Sequence, residues 1–396
     1  MKVATKTLAS IMGLVSNSQG DKKTVTLTPG ANAVTLTATS GIGSTRAKIL
    51  AVTEEDGDIE PCPVPTQLLA ALASSTDAEL IEIKPASANL LTARAGAGNT
   101  SLTTSEPTDF PALEAAKAPT ERTTFTMPLT VLAAGINRVQ FAATKADKTA
   151  QQQLAMTQFQ ITADGKLLTA ATDSRILSHS ETPIPDWKGE PLSLLFPQTK
   201  ALARLLDLTP EATAHVMVAN NKILIVVKTE ALAIELVLNT VDLPYPDWQK
   251  IRQQNKPTII ATAPLKAMRE LMTRANAICP TPRVGIKLVG PDKKLVLGAK
   301  NETVQHVDAI NLGAIMVNGP EGKPVPFDGE FVIYASPQGL TDALTATAEW
   351  TTADTVRLGF VEATRPFVIN PIGYQYNHWI MPMVAEGAKP KETTGE

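Results

Sequence analysis

At 396 residues the chain is too long for one ordinary hydrophobic core, so two or three domains are expected. Apolar residues make up 43% of it, which fits a water-soluble globular protein, and no apolar run approaches the roughly 18 residues that a membrane span needs. The net charge of −3 argues against a uniformly basic nucleic-acid binder. Strong DNA binding would require the positive charge to be sorted onto one surface.

Cysteine and histidine usage argues against disulfide and metal chemistry. Cys62 and Cys279 lie far apart, and the four histidines lack ligand spacing: His179, His215, His306 and His378. The sequence therefore predicts a protein of the reducing cytoplasm with no metal and no cofactor.

The first predicted elements are a short strand and a helix within residues 3–11. Residues 8–15 could instead be the core of a secretory signal, but their apolar residues fall at helical spacing, which favours an amphipathic helix. A strand at 33–39, a turn at Asp56-Gly57 and a second helix at 64–74 follow.

The same order of elements recurs twice along the chain. Strand-to-helix segments like the first lie at 127–135 and 263–271, offset by about 124 and 136 residues, and each carries a proline where the helix begins. Second helices are predicted at 198–208 and 337–348, with strands between them such as 222–227 and 356–360. The fold class is therefore α+β, with two helices packed on antiparallel sheet, three times over.

Composition places the domain boundaries. We predict domains at residues 1–121, 122–254 and 255–384, with polar stretches ending the first two. Residues 385–396 lack any core-forming pattern and are predicted to be a disordered tail. Because the tail follows Met383, we also expect it to hinder or tune access to any site formed there.

Six short segments, in order, resemble the bacterial replicative sliding clamp, the β subunit of DNA polymerase III. Their positions are 108–113 (TDFPAL), 169–177 (TAATDSRIL), 245–251 (YPDWQKI), 284–288 (VGIKL), 299–302 (AKNE) and 379–383 (WIMPM). Two departures mark a diverged member. The family's Gly-His-Arg after Thr-Asp is here Ser174-Arg175-Ile176, and this chain continues beyond Met383 with a tail.

The resemblance implies three clamp domains per chain and two chains joined head to tail into a dimeric ring. Such a ring encircles double-stranded DNA without reading its sequence and tethers the DNA polymerase catalytic subunit as a processivity factor. It also implies docking of a clamp loader and of repair proteins that carry clamp-binding peptides. The chain itself is then expected to be non-catalytic and cytoplasmic.

The resemblance also implies a partner-peptide cleft at the end of the third domain. The positions that match the family's cleft are Leu154, Thr172, Ser174, Arg175, Ile176, Leu177, Pro246, Ile251, Trp379, Met381, Pro382 and Met383. Most are apolar, and methionine is a soft side chain suited to surfaces that accept several partners. Without the resemblance, Trp379, Met381 and Met383 would read as core of the last strand.

Basic residues on or near the predicted helices are candidates to face DNA. They are Lys6, Lys22, Lys23, Arg138, Lys145, Lys148, Lys200, Arg204, Lys266, Arg269 and Arg274. Ordinary solvated helix faces would look the same. The positions that match the family's dimer interface are Leu102, Ile278 and Cys279, for which a plain core reading is nearly as good.

No catalytic motif is complete. The segments 41–46 and 96–101 start like dinucleotide-binding loops but lack the third glycine. The alternative to a clamp is a Thr/Ala-rich β-structured surface or adhesion protein, which would need a secretion signal and would not account for the 379–383 segment.

Overall fold

The computed structural model describes residues 2–17, 24–30, 32–40, 43–52, 61–87, 90–103, 123–145, 148–184, 187, 189–219, 221–319 and 323–383. Four sequence predictions lie outside these residues: Lys22 and Lys23, the turn at Asp56-Gly57, the segment 108–113 and the tail 385–396.

The described residues form seven α-helices, and six of them confirm the predicted ones. The helices are α1 (Thr5–Asn17), α2 (Thr66–Ser74), α3 (Leu129–Asn137), α4 (Ala201–Leu208), α5 (Trp248–Gln254), α6 (Leu265–Ile278) and α7 (Pro337–Trp350). The remaining helix, α5, was not predicted. Two short 3-10 helices span Gln140–Ala142 and Gln152–Ala155.

Helix α6 illustrates why these segments are helical. Its residues Leu265, Met268, Leu271, Met272 and Ala275 are buried, at the spacing of one helical face. Helix α7 begins after Ser336, whose hydroxyl accepts a hydrogen bond from the Gly339 N–H at 3.3 Å, and Pro337 occupies the first turn.

The strands outnumber the helices and confirm the predicted ones. They are β1 (Lys2–Ala4), β2 (Thr24–Gly30), β3 (Ala33–Ser40), β4 (Gly43–Val52), β5 (Cys62–Pro65), β6 (Leu80–Ser87), β7 (Leu90–Ala95), β8 (Gly98–Thr103), β9 (Thr123–Pro128), β10 (Met156–Ile161), β11 (Lys166–Thr172), β12 (Ile176–Pro183), β13 (Leu192–Pro197), β14 (Thr213–Ala219), β15 (Lys222–Lys228), β16 (Leu232–Asn239), β17 (Ile259–Pro264), β18 (Val284–Val289), β19 (Lys294–Lys300), β20 (Gln305–Asn311), β21 (Ala314–Asn318), β22 (Pro324–Pro326), β23 (Glu330–Ala335), β24 (Thr355–Phe360), β25 (Phe367–Pro371) and β26 (Tyr376–Ile380). Wherever the register of a strand pair is described, the two strands run antiparallel, which confirms the α+β class.

The chain divides into two compact units. The first comprises Met1–Asn137 and Leu194–Asp242, and its main sheet has the order β8-β7-β6-β1-β4-β16-β15-β14-β9. Strands β4 and β16 pair from Leu232↔Ile49 to Leu238↔Gly43, and Arg46 and Glu235 form an ion pair at 3.4 Å on this seam.

The second unit comprises Arg138–Ser193 and Leu243–Glu396. Its larger sheet runs β10-β11-β12-β26-β25-β24-β17-β21-β22, and a four-stranded sheet runs β20-β19-β18-β23. A buried cluster packs α6 and α7 against these sheets through residues such as Leu271, Leu344 and Phe360.

Both pairings β4–β16 and β12–β26 join strands that the sequence assigns to neighbouring domains. The two compact units therefore follow the continuous sheets rather than the predicted domain boundaries. The division into three domains at residues 121, 254 and 384 stays a prediction.

Candidate functional site

The site begins at the tight turn between β11 and β12. The Asp173 Oδ1 atom accepts hydrogen bonds from the backbone N–H groups of Arg175 and Ile176, both at 2.8 Å. The Thr172 hydroxyl donates to the Ile176 carbonyl at 2.8 Å and accepts from the Ser174 N–H at 3.1 Å. Ser174 has a φ of +73°, in the left-handed region that favours glycine, so local hydrogen bonds hold the turn in a constrained conformation.

The last strand lies directly beside this turn. Strand β26 pairs with β12 through Leu177↔Trp379 and Ile176↔Ile380. The Met381 N–H then donates to the Arg175 carbonyl at 2.8 Å. The Met383 N–H donates to the Tyr334 carbonyl at 2.8 Å, so the backbone of the Met-Pro-Met segment is fixed at both ends.

An apolar cluster covers one face of the sheet next to this segment. Its buried members, here called the Trp379 cluster, are Ala170, Leu177, Trp248, Val368 and Trp379, and Leu168, Tyr245 and Ile251 pack against them with partial exposure. These side chains are partly exposed, and the half-buried methionines follow Trp379 along the chain, so the arrangement offers an apolar surface to short peptide anchors.

Helix α5 supplies one wall of the cluster. It begins after Asp247, whose side chain accepts from the Lys250 N–H at 3.4 Å. The Trp248 indole N–H donates to Gln158 Oε1 at 2.6 Å, which anchors the helix on β10. Burial raises the pKa of Tyr245, so its hydroxyl stays neutral and donates to the Met156 carbonyl at 3.4 Å.

Six of the twelve predicted cleft residues lie in the Trp379 cluster or directly follow it along the chain. Leu177, Ile251 and Trp379 share the Trp379 cluster, and Met381, Pro382 and Met383 follow it half-buried along the chain. Thr172 is buried within the turn, Ser174, Arg175 and Pro246 are exposed, and Leu154 is buried in the second 3-10 helix.

Ile176 departs from the expectation. Successive residues of a strand point to opposite faces of a sheet, so Ile176 faces away from its neighbour Leu177. The structure buries Ile176 in the core cluster of the second unit together with Ile380. Its side chain therefore belongs to the core rather than to the Trp379 face.

The described candidates for DNA contact differ in their solvent exposure and in their ion pairs. Lys6, Lys145, Lys148, Lys200, Lys266 and Arg269 are exposed. Arg204 pairs with Asp207 at 3.5 Å, and Arg274 pairs with Asp308 at 2.7 Å. Burial lowers the pKa of the half-buried Arg138, whose Nε atom finds no hydrogen-bond partner among the described residues. The assignment of this set to DNA stays a prediction.

The three predicted interface residues also differ. Ile278 is 49% exposed, whereas Leu102 and Cys279 are buried within the chain. The Cys279 thiol donates to the Val304 carbonyl at 3.4 Å. Strands β8 and β20 each end a sheet, and within the part of the chain that the structure describes neither has a partner on its outer side.

Sequence reasoning missed the residues that extend the site beyond Trp379. His179 lies on the same face as Leu177, two residues along β12, and its ring stacks on Trp248 with centroids 4.9 Å apart. Burial lowers the pKa of His179 to about 3, which keeps the imidazole neutral. The two-residue alternation of strand β12 was the signal that could have found it.

Over the described ranges, no helix is long and apolar enough to cross a membrane. The same residues contain no group of three His, Cys, Asp or Glu side chains placed to hold a metal ion.

Comparison with solved structures gives a consistent result over nearly the whole chain. A DNA polymerase III β subunit from Thermotoga maritima matches with a TM-score of 0.78 at 20% identity, covering 97% of this chain and 99% of that one. The chain has the sliding-clamp fold. A Pseudomonas aeruginosa clamp bound to griselimycin matches with a TM-score of 0.77 at 18% identity, covering 97% and 99% of the two chains. A clamp from Bacillus subtilis matches with a TM-score of 0.73 at 17% identity, covering 97% and 98%.

No protein-family model and no curated protein matches the sequence. The match to solved clamps is therefore one of fold, at 17–20% identity. The sliding-clamp fold does not favour the surface-adhesion alternative.

Proposed function

We propose that the protein is a DNA sliding clamp: a homodimeric ring that encircles duplex DNA and tethers a DNA polymerase as a processivity factor. The observation that carries the proposal is the meeting of the chain end with the β11–β12 turn. There Trp379 packs with Leu177 and Ile251, and the Met381 N–H donates to the Arg175 carbonyl, within a fold that matches solved clamps over 97% of the chain.

The Trp379 cluster suits a short apolar peptide. Ile251, Met381 and Met383 are partly exposed, so their side chains are available to a ligand while the backbone beneath them is hydrogen-bonded. Anchors of the Leu and Phe type would bury against this surface, and the unbranched methionines can adjust to different sequences. Polymerase, clamp loader and repair proteins would each supply such a peptide.

The free sheet edges support a head-to-tail dimer. Strand β20 alternates exposed and half-buried residues, and Val307 on it is 60% exposed. Unpaired edges invite further strand pairing, so a second chain that joins β8 of one protomer to β20 of the other would cover both. In that arrangement the exposed Ile278 would become buried at the interface.

The proposed role requires no chemistry from this chain. A closed ring holds DNA by topology, so weak, sequence-independent contacts from exposed lysines such as Lys6 and Lys266 suffice. A polymerase bound to the ring remains close to the primer end after it dissociates, which raises its effective concentration there. Action in the cytoplasm remains a prediction.

A peptide-binding titration tests the proposal. A fluorescent peptide of the Gln-Leu-x-Leu-Phe type should bind the intact chain saturably, as a rise in its fluorescence anisotropy. In the Trp379→Ala variant this rise should be lost over the same concentration range. Loss of a central aromatic anchor costs about 2 kcal/mol or more, which is roughly a 30-fold weaker Kd.

Controls keep the test interpretable. Met381 is only half-buried, so Met381→Ala should fold normally and weaken binding about tenfold. Leu50→Ala, at a residue 62% exposed on β4, should bind like the unaltered chain. Saturable binding that survives both site variants would contradict the proposed cleft.

A further inference from the structure

A cavity of about 670 Å³ adjoins the Trp379 cluster within the second compact unit. Trp379 and Val368 belong to both the cluster and the cavity lining. The chain runs from Asn377 through Trp379 in β26 and on to Met381 just after it, and Asn377 and Trp379 line the cavity, so the cavity lies on the side of Trp379 away from the methionines. A ligand in the proposed cleft could therefore continue into it.

The cavity floor is a row of residues directly opposite one another across neighbouring strands. Trp379 pairs with Val368, Val368 with Gly359, and Gly359 with Ile260. Adjacent strands lie about 4.8 Å apart, so the row from Trp379 to Gly359 spans roughly 10 Å. The Pro257 ring packs closely on Gly359: a Cβ added at Gly359 would lie 2.7 Å from that ring.

The cavity walls carry positive charge. Arg252, Lys256 and Arg357 line it, and among the residues that the structure describes no aspartate or glutamate does. Arg252 is balanced by Glu181, to which it donates a hydrogen bond. Lys256 and Arg357 are exposed and form no ion pair with any described residue. The cavity thus offers two uncompensated cations in a chain whose net charge is −3.

Two residues of the lining carry buried polar atoms without hydrogen-bond partners. His179 is 1% exposed, and both of its ring nitrogens lack a hydrogen-bond partner among the described residues. The indole N–H of Trp379, which is 4% exposed, lacks one too. A buried donor without an acceptor is costly, by about 1–3 kcal/mol. These atoms are shielded from solvent, so the exposed cations, rather than these atoms, give the cavity its attraction for a ligand.

We propose that this cavity is an acidic-residue subsite of the partner cleft. It would bind an aspartate or glutamate that lies outside the pair of apolar anchors of a partner peptide, through Lys256 and Arg357. The carboxylate carries the negative charge that the lining lacks, and its two oxygens accept hydrogen bonds from cationic side chains. The proposal rests on the proposed clamp function, and it goes further because it states which partners this chain selects.

The length of the connection follows from the geometry. An extended peptide advances about 3.3 Å per residue, so roughly 10 Å of floor corresponds to about three residues beyond the anchor at Trp379. The direction of the peptide decides whether the acid precedes or follows the anchors. Both placements therefore belong in the test.

The experiment compares four fluorescent peptides with the same apolar anchors. Two carry glutamate about three residues before or after the anchors, and two carry glutamine at the same positions. In one of the two placements, glutamate should bind about three- to tenfold more tightly than glutamine, as expected for a partly desolvated charge contact of about 1 kcal/mol. Arg357→Gln and Lys256→Gln should each reduce that preference, and together they should abolish it.

The control and the outcomes separate this proposal from the clamp function. Lys300→Gln removes one exposed positive charge of the same unit outside the cavity and should keep the full preference. Equal binding of glutamate and glutamine peptides in both placements overturns the subsite while leaving the cleft intact. A preference that survives the double variant overturns it as well. Failure of every peptide to bind refutes the cleft itself.

Discussion

Two buried histidines make the second compact unit sensitive to mild acid. His179 and His378 lie on adjacent strands, β12 and β26, and both are 1% exposed or less. His378 is held between the hydroxyls of Ser178 and Thr347 at 3.0 and 3.1 Å, and His179 stacks on Trp248. Burial lowers the pKa of each imidazole from 6.5 to about 3, so both rings are neutral in the folded chain.

The sign and size of the effect follow from proton linkage. The unfolded chain binds protons at these sites below pH 6.5, whereas the folded chain does so only near pH 3. Their contribution to stability is therefore present above pH 6.5 and is lost as the pH falls toward 3. At pH 5 each histidine should lower the free energy of unfolding by about 2 kcal/mol, or about 4 kcal/mol for the pair.

Urea unfolding monitored by tryptophan fluorescence measures this loss. All four tryptophans, Trp187, Trp248, Trp350 and Trp379, belong to the second unit, so the signal reports on it. His179→Phe keeps an aromatic ring against Trp248 and removes one titrating group, so it should halve the loss between pH 7.5 and pH 5. Equal pH dependence in the variant and the unaltered chain would refute the reasoning, as would a free energy of unfolding that stays constant over this range.

Three further predictions concern the turn, the cavity and the sheet edge. Because Ser174 has a φ of +73°, Ser174→Val should lower the free energy of unfolding by about 2 kcal/mol while Ser174→Gly costs nothing, as urea titrations would register. A Cβ at Gly359 would lie 2.7 Å from Pro257 and 2.8 Å from Val368, so Gly359→Ala should cost about 1–3 kcal/mol in the same assay; an unchanged midpoint would contradict the close packing. Val307→Glu on β20 should convert dimers to monomers in sedimentation equilibrium. Leu50→Glu, at a similarly exposed position, should leave the mass unchanged. A dimer that persists in Val307→Glu would argue against β20 as the edge that joins the two chains.

Much of the fold can be predicted from the sequence because its helices have strong local signals. The apolar spacing of α1 and α6, and the proline that opens α7, locate these helices to within a few residues. Helix α5 is different. It has seven residues, of which only Trp248 is buried, so no apolar period indicates it, and its Asp247 cap is the one local sign.

The site is less predictable because it depends on strand register. The family resemblance indicates Leu177, Ile251 and Trp379, and the structure places them in one cluster. The resemblance also indicates Ile176, but in strand β12 this residue points to the opposite face from Leu177 and is buried in the core. The cavity beyond Trp379 combines residues from α5, β17, β24, β25 and β26, and no local pattern reveals which residues of distant strands lie opposite one another.

Topological retention on DNA tests the central claim most directly. The protein would be mixed with a circular plasmid, closed by chemical cross-linking of its interfaces and washed in high salt, which screens ionic contacts. A clamp should stay with the circular plasmid and be released when a restriction enzyme makes the plasmid linear. Retention that is unaffected by linearisation, or loss from the circle in high salt, would contradict a ring around DNA.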